Sequence, residues 1–131
     1  MENTANPNWS RFHLAAAGLT AFTFALHLIG GTPEINAPVR ASDFEPALRS
    51  ILSVVWHMIT LTLLVMASAT LWLAKHRNPP LYWMVLSLNL GYVALFLGYG
   101  IYDLGSIFVL PQWTLFAAIS LCLLIGQWRR S

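Results

Sequence analysis

Four apolar stretches, at about 12–30, 50–74, 81–101 and 111–127, leave this chain little choice of solvent. Each approaches the roughly 20 residues a helix needs to cross about 30 Å of hydrocarbon. Backbone N–H and C=O groups in hydrocarbon must pair within their own segment, so the stretches predict helices, and the alternating pattern of a membrane barrel is absent. With 131 residues, 57% of them hydrophobic and 9% charged, no separate soluble domain is expected. The expected fold is a single all-α domain over 1–131, an integral membrane four-helix bundle, with an outer loop at 31–49. The fourth stretch is the shortest, so it should stand nearly upright or borrow part of 107–110.

The basic residues orient this bundle. Arg11, Lys75, Arg77, Arg129 and Arg130 flank one side of the spans and only Arg40 and Arg49 the other. Positive-inside bias places both termini in the cytoplasm of a bacterial-type inner membrane, with Glu34, Asp43, Glu45 and Asp103 outside. The formal charge of +2 therefore needs no nucleic acid partner, since these cations sit beside anionic headgroups. Trp9, Trp72, Trp83 and Trp128 map to the inner interface and Trp56 and Trp113 to the outer one, where amphipathic rings are at home. The first span is read as a retained helix rather than a cleaved signal, because no small-residue cleavage site follows it. Cys122 is the single cysteine, so no intrachain disulfide forms.

Local signals set the expected boundaries. Gly30-Gly31-Thr32-Pro33 should end the first helix, and Ser42 or Asp43 should cap a second beginning near Phe44. Short turns at Asn78-Pro79-Pro80 and at Asp103-Leu104-Gly105-Ser106 should make helices 2 and 3, and then 3 and 4, antiparallel neighbours. The spans hold no GxxxG and no internal repeat.

Polar side chains in lipid turn toward protein or a wet cavity, so each helix's polar stripe is expected to face inward. These stripes are His13, Ala16, Thr20, Thr23, His27 and Gly30 or Gly31 on the first helix, and Ser50, Ser53, His57, Thr60, Leu64 and Ser68 on the second. On the third they are Tyr82, Asn89, Tyr92, Phe96, Tyr99 and Asp103, and on the fourth Trp113, Ala117, Ser120, Leu124 and Gln127. Asn89 is expected to bond between helices, and His13 and His76 to face solvent or headgroups at the inner boundary.

His27 and His57 carry the functional reading. Each lies about one turn below the outer end of its helix, and the helices run antiparallel, so the two imidazoles share a depth. Asp103 and Tyr99 join that layer, Glu34 hangs above it, and Trp56 stands beside it. The set predicts an outer pocket that binds a metal (zinc, copper or iron) through His27, His57, Asp103 and Glu34, or another small ligand, with Tyr99 and Trp56 in its wall. The same residues serve three other readings. One is a b-type haem subunit for electron transfer, which needs helices 1 and 2 to be diagonal rather than adjacent. Another is an accessory or assembly subunit of a larger membrane complex, with partner subunits or further copies of itself. The last is a membrane enzyme in which His27, His57, Asp103 or Glu34 performs acid–base chemistry on a lipid-like substrate, or proton-coupled transport.

Overall fold

The computed structural model describes residues 9–129, and every regular element among them is helical. Helix α1 starts at Arg11 behind Ser10, whose hydroxyl caps the first turn, and is α-helical to Ala25. It then widens into a π-helix over Leu26–Asn36 and closes with a short α-helical piece, Ala37–Ala41. Helix α2 covers Pro46–Lys75, α3 Pro79–Tyr102 and α4 Trp113–Trp128. The runs Arg11–Ala41, Pro46–Lys75 and Pro79–Tyr102 are long and apolar enough to cross a membrane; α4 is apolar but shorter.

Several boundaries differ from expectation. The Gly30-Gly31-Thr32-Pro33 segment does not end α1; Pro33 sits inside the π-helical stretch, where wider i→i+5 bonding replaces the α-helical ladder that a proline interrupts. The outer loop thus shrinks to the few residues between Ala41 and Pro46. The cap of α2 is Glu45, whose carboxylate accepts from the backbone N–H groups of Ala47 and Leu48 at 3.1 and 3.3 Å, rather than Ser42 or Asp43. Asn78 caps α3 through Leu81 N–H at 3.1 Å, with Pro79 and Pro80 in the first turn. Residues 107–110 form turns and bends and do not lengthen α4. Gly105, at φ 66°, reverses the chain after α3, a backbone shape that glycine adopts without penalty. Trp113 Nε1–H then donates to Ile107 C=O at 2.9 Å and folds this turn onto α4.

Helix α1 packs against α2 and α4, and α3 packs against α4; α2 and α3 touch least, although a short turn joins them. The diagonal pairs, α1 with α3 and α2 with α4, make no close backbone contact among the described residues. Two neighbouring pairs, α1–α2 and α3–α4, are thus stitched together mainly through α1 and α4. The core is Ala16, Leu63, Leu73, Leu86, Ile119 and Leu123 with Tyr82, Val85 and Phe116 around them.

The end of the bundle that carries the chain termini, called here the terminal end, is drawn together around a small cavity of about 90 Å³ bordered by His13, Tyr82 and Gln127. Ser10 N–H donates to Ala74 C=O at 2.9 Å, tying the start of α1 to the end of α2. His13, expected to face solvent, is 1% exposed: its Nδ1 lies 2.8 Å from the Ser10 hydroxyl and its ring leans on Tyr82. Trp9, Trp72, Trp83 and Trp128 are exposed around this end, and His76 stacks on Trp72 with ring centres 4.1 Å apart.

Two polar stripes face differently from expectation. On α2 the buried residues are Leu63, Met66, Thr70, Leu73 and Ala74, whereas Ser50, His57, Leu64 and Ser68 are exposed. The serines tolerate an apolar face because each hydroxyl donates to the carbonyl four residues back, Ser50 to Pro46 and Ser68 to Leu64. On α4, Phe116, Ile119, Ser120, Leu123 and Gly126 turn inward. Asn89 is fully buried, but its Nδ2 bonds Val85 C=O of its own helix at 2.9 Å and its Oδ1 has no hydrogen-bond partner, so it does not tie helices together as expected.

Candidate functional site: a cleft at the distal end

Away from the termini the two helix pairs separate. The π-helical stretch of α1 leans on α2 and makes no close backbone contact with α3 or α4. Between the pairs lies a cavity of about 630 Å³, within the range of small-molecule sites. Its floor is Thr23, Leu63, Tyr92 and Phe116, one residue from each helix; its upper wall holds Glu34, Trp56, Tyr99 and Gln112. Tyr92 and Tyr99 are seven residues apart on α3, which makes the cleft about 10 Å deep along that helix.

The π-helical stretch shapes one wall. Its cleft-facing residues recur at intervals of four, as Leu26, Gly30 and Glu34 and as His27, Gly31 and Ile35, a repeat longer than the 3.6 of an α-helix. Gly31 is needed for close approach: a Cβ there would stand 2.7 Å from Trp56 Cη2 and 2.9 Å from Cζ2. The indole, so placed, stacks on His27 with ring centres 3.9 Å apart and planes 19° from parallel. His27 Nε2 lies 3.2 Å from Trp56 C=O. A carbonyl only accepts, so Nε2 is the donor and, in the neutral ring, Nδ1 is left with its lone pair.

Two buried polar atoms in the wall have no hydrogen-bond partner: the Trp56 Nε1–H donor and the Gln112 Oε1 acceptor. Such atoms are ordinarily satisfied, and leaving each unpaired costs about 1–3 kcal/mol. Elsewhere the wall is apolar and aromatic, with Phe96 beside Phe116 and Tyr92 stacked on Phe116 at 4.7 Å.

The expected ligand set is only partly assembled. His27, Glu34, Trp56 and Tyr99 line the cleft, whereas His57 and Asp103 do not. His57 follows Trp56 directly, and a helix turns about 100° per residue, so the rotation that brings the indole inward carries the imidazole out. Asp103 caps the end of α3, exposed, through its N–H to Tyr99 C=O. Among the described residues no group of three or more His, Cys, Asp or Glu side chains is placed to hold a metal ion; the His27, His57, Asp103 and Glu34 set is corrected accordingly. Helices α1 and α2 are neighbours with extensive packing, not the diagonal pair that a porphyrin between His27 and His57 requires. Tyr92 and Phe96 lie on the stripe expected of the third helix and do line the cleft, whereas Gln112 and Phe116 belong to no polar stripe and carry no signal in the sequence.

Comparison with known proteins supplies no relative: no family model matches the chain, and neither does any curated protein or solved structure.

Proposed function

We propose that this chain is a multi-pass membrane protein with its termini in the cytoplasm, and that its distal cleft, in the outer half of the bilayer, binds a small amphipathic molecule taken from the lipid phase. The observation that carries this reading is the pairing of a large apolar cavity with two buried, unpartnered polar atoms, Trp56 Nε1 and Gln112 Oε1, near its mouth. Both atoms are closed off from the cavity surface in this structure; a ligand with an apolar body fills the cavity, and its hydrogen-bonding head satisfies them once the Gln112 and Trp56 side chains turn toward it. The charged and amide groups gather at the upper wall, whereas the floor is aliphatic and aromatic apart from the hydroxyls of Tyr92 and of Thr23, the latter bonded to Leu19 C=O of its own helix. A lipid-like molecule already has this orientation in the outer leaflet. The sparse contact between α2 and α3 supports a route from the bilayer.

Gln112→Leu is the discriminating variant. Removing a buried acceptor that lacks a partner should leave the folded protein as stable as before or more so, while weakening retention of the co-purifying molecule roughly tenfold. Native mass spectrometry from mild detergent, with a denaturation curve on the same sample, reads both. A variant that retains its ligand unchanged removes Gln112 from the site. Orientation is tested in a Cys122→Ser background: a cysteine at Asp43 should react with an impermeant maleimide from outside intact cells and one at Arg77 should not.

A further inference from the structure

The electrostatics of the cleft narrow the ligand's chemistry, on the reading that the cleft binds an amphiphile at all. Its only residue with a carboxylate or basic side chain, histidine aside, is Glu34; no lysine or arginine lines it. The Glu34 side chain is exposed and makes no hydrogen bond or ion pair with any described residue. Of the basic residues nearest in sequence, Arg49 donates to the backbone carbonyl of Arg40 at 3.3 Å, and neither guanidinium lines the cleft. Around this carboxylate stand aromatic rings, with Tyr99 at the mouth 60% exposed and Trp56, Phe96 and Tyr92 leading down to the floor. Gln112 Oε1 adds a buried acceptor with no donor. An aromatic wall carries negative potential on its ring faces and attracts cations, and a carboxylate and an amide oxygen act in the same sense. His27 does not oppose it when neutral, since its one N–H is held by the Trp56 carbonyl.

We infer that the cleft is selective for lipophilic cations, specifically a protonated amine carried on an apolar body. The ammonium lies at the mouth between Glu34 and the Tyr99 ring, with the enclosed Gln112 amide oxygen adding to the negative potential from within the wall, and the apolar body extends toward Leu63 and Phe116. An anionic head of the same size meets the Glu34 charge with no compensating cation. A neutral hydroxyl meets the hydrogen-bonding atoms but gains nothing from the charge.

The test uses three amphiphiles of one chain length, decylamine, decanol and decanoate, titrated into the full-length protein in nanodiscs of phosphatidylcholine, with the partition of each into empty discs measured separately. Binding is read as the change in tryptophan emission that is absent in Trp56→Phe. Decylamine is expected to bind roughly tenfold or more tighter than decanol, with decanoate weakest. Glu34→Gln, whose side chain has no partner to lose, should bring decylamine to within about threefold of decanol and leave decanol unchanged. Decanol or decanoate binding as well as decylamine, or an amine preference that survives Glu34→Gln, overturns the cation inference while the amphiphile cleft stands. If none of the three alters Trp56 emission, the cleft reading itself fails and takes this inference with it.

Discussion

Gly31→Leu is expected to abolish ligand retention, by about a hundredfold or more, while the protein still folds. Its Cβ alone stands 2.7 Å from the Trp56 ring, and the rest of the side chain projects into a cavity that Gly31 lines. The indole has His27 stacked on one face, so it gives way toward the open cleft and occupies the space the ligand needs. Overpacking in a closed core costs about 1–3 kcal/mol; here the free volume absorbs most of that strain, and binding rather than stability carries the loss. A milder pair makes the cause specific. Gly31→Ala should weaken binding, and Trp56→Phe should restore room in the double variant, because the atoms that the new methyl group meets belong to the benzo ring that phenylalanine lacks. Equilibrium dialysis of decylamine with wild type, both single variants and the double variant measures the coupling. Strictly additive effects would show that the two residues do not share one wall.

At the opposite end of the molecule the same kind of substitution should act on stability. A Cβ on Gly126 would meet His13 Nδ1 at 2.5 Å, His13 Cε1 at 2.7 Å and Phe12 Cβ at 3.1 Å. The cavity at this end is small, about 90 Å³ beside His13 and Gln127, and His13 itself is buried and hydrogen-bonded to Ser10, so little room receives the displaced groups. Gly126→Leu is therefore expected to part α1 from α4 and cost about 3 kcal/mol, at the upper end of overpacking effects. His13→Ala, which empties the space the new side chain needs, should recover a good part of that loss in the double variant. Denaturation in detergent micelles followed by circular dichroism reads the change, and the ligand cleft should keep its affinity wherever folded protein remains. A stable Gly126→Leu would mean that α1 and α4 do not meet at this glycine.

These two glycines also mark how far residue patterns reach. Neither belongs to a GxxxG pair, and what makes each indispensable is a partner from another helix, Trp56 for Gly31 and His13 for Gly126. His27 was legible as an inward residue because it continues the His13, Thr20 and Thr23 stripe on α1, where the buried residues follow that spacing. His57 was not, because the second helix offers two stripes of similar plausibility. One carries serines and a histidine, the other Trp56, Leu63, Met66 and Thr70. In water the apolar stripe turns inward by default, but in hydrocarbon an apolar face gains nothing by burial, and hydroxyls satisfied by their own helix can face either way. Packing shape decided, and it chose the larger side chains for the interior.

The Gly30–Pro33 segment misled for a related reason. Glycine and proline report what a backbone tolerates, and a π-helical turn tolerates both when a neighbouring helix supports it. Such support is a property of α2, not of the segment itself.

The amino-acid sequence by itself determined that the chain is helical and where most of the helices lie, since length and hydrophobicity act locally along one chain; of the four spans it led us to expect, three are long and apolar enough to cross a membrane and the last is shorter. Only the tertiary structure decided which face of each helix meets its neighbours, that His27 stacks on Trp56 rather than meeting His57, and that a cleft opens beneath Glu34. Those outcomes depend on the fit of side chains from different helices, and a rotation of one residue about a helix axis is enough to exchange an indole for an imidazole.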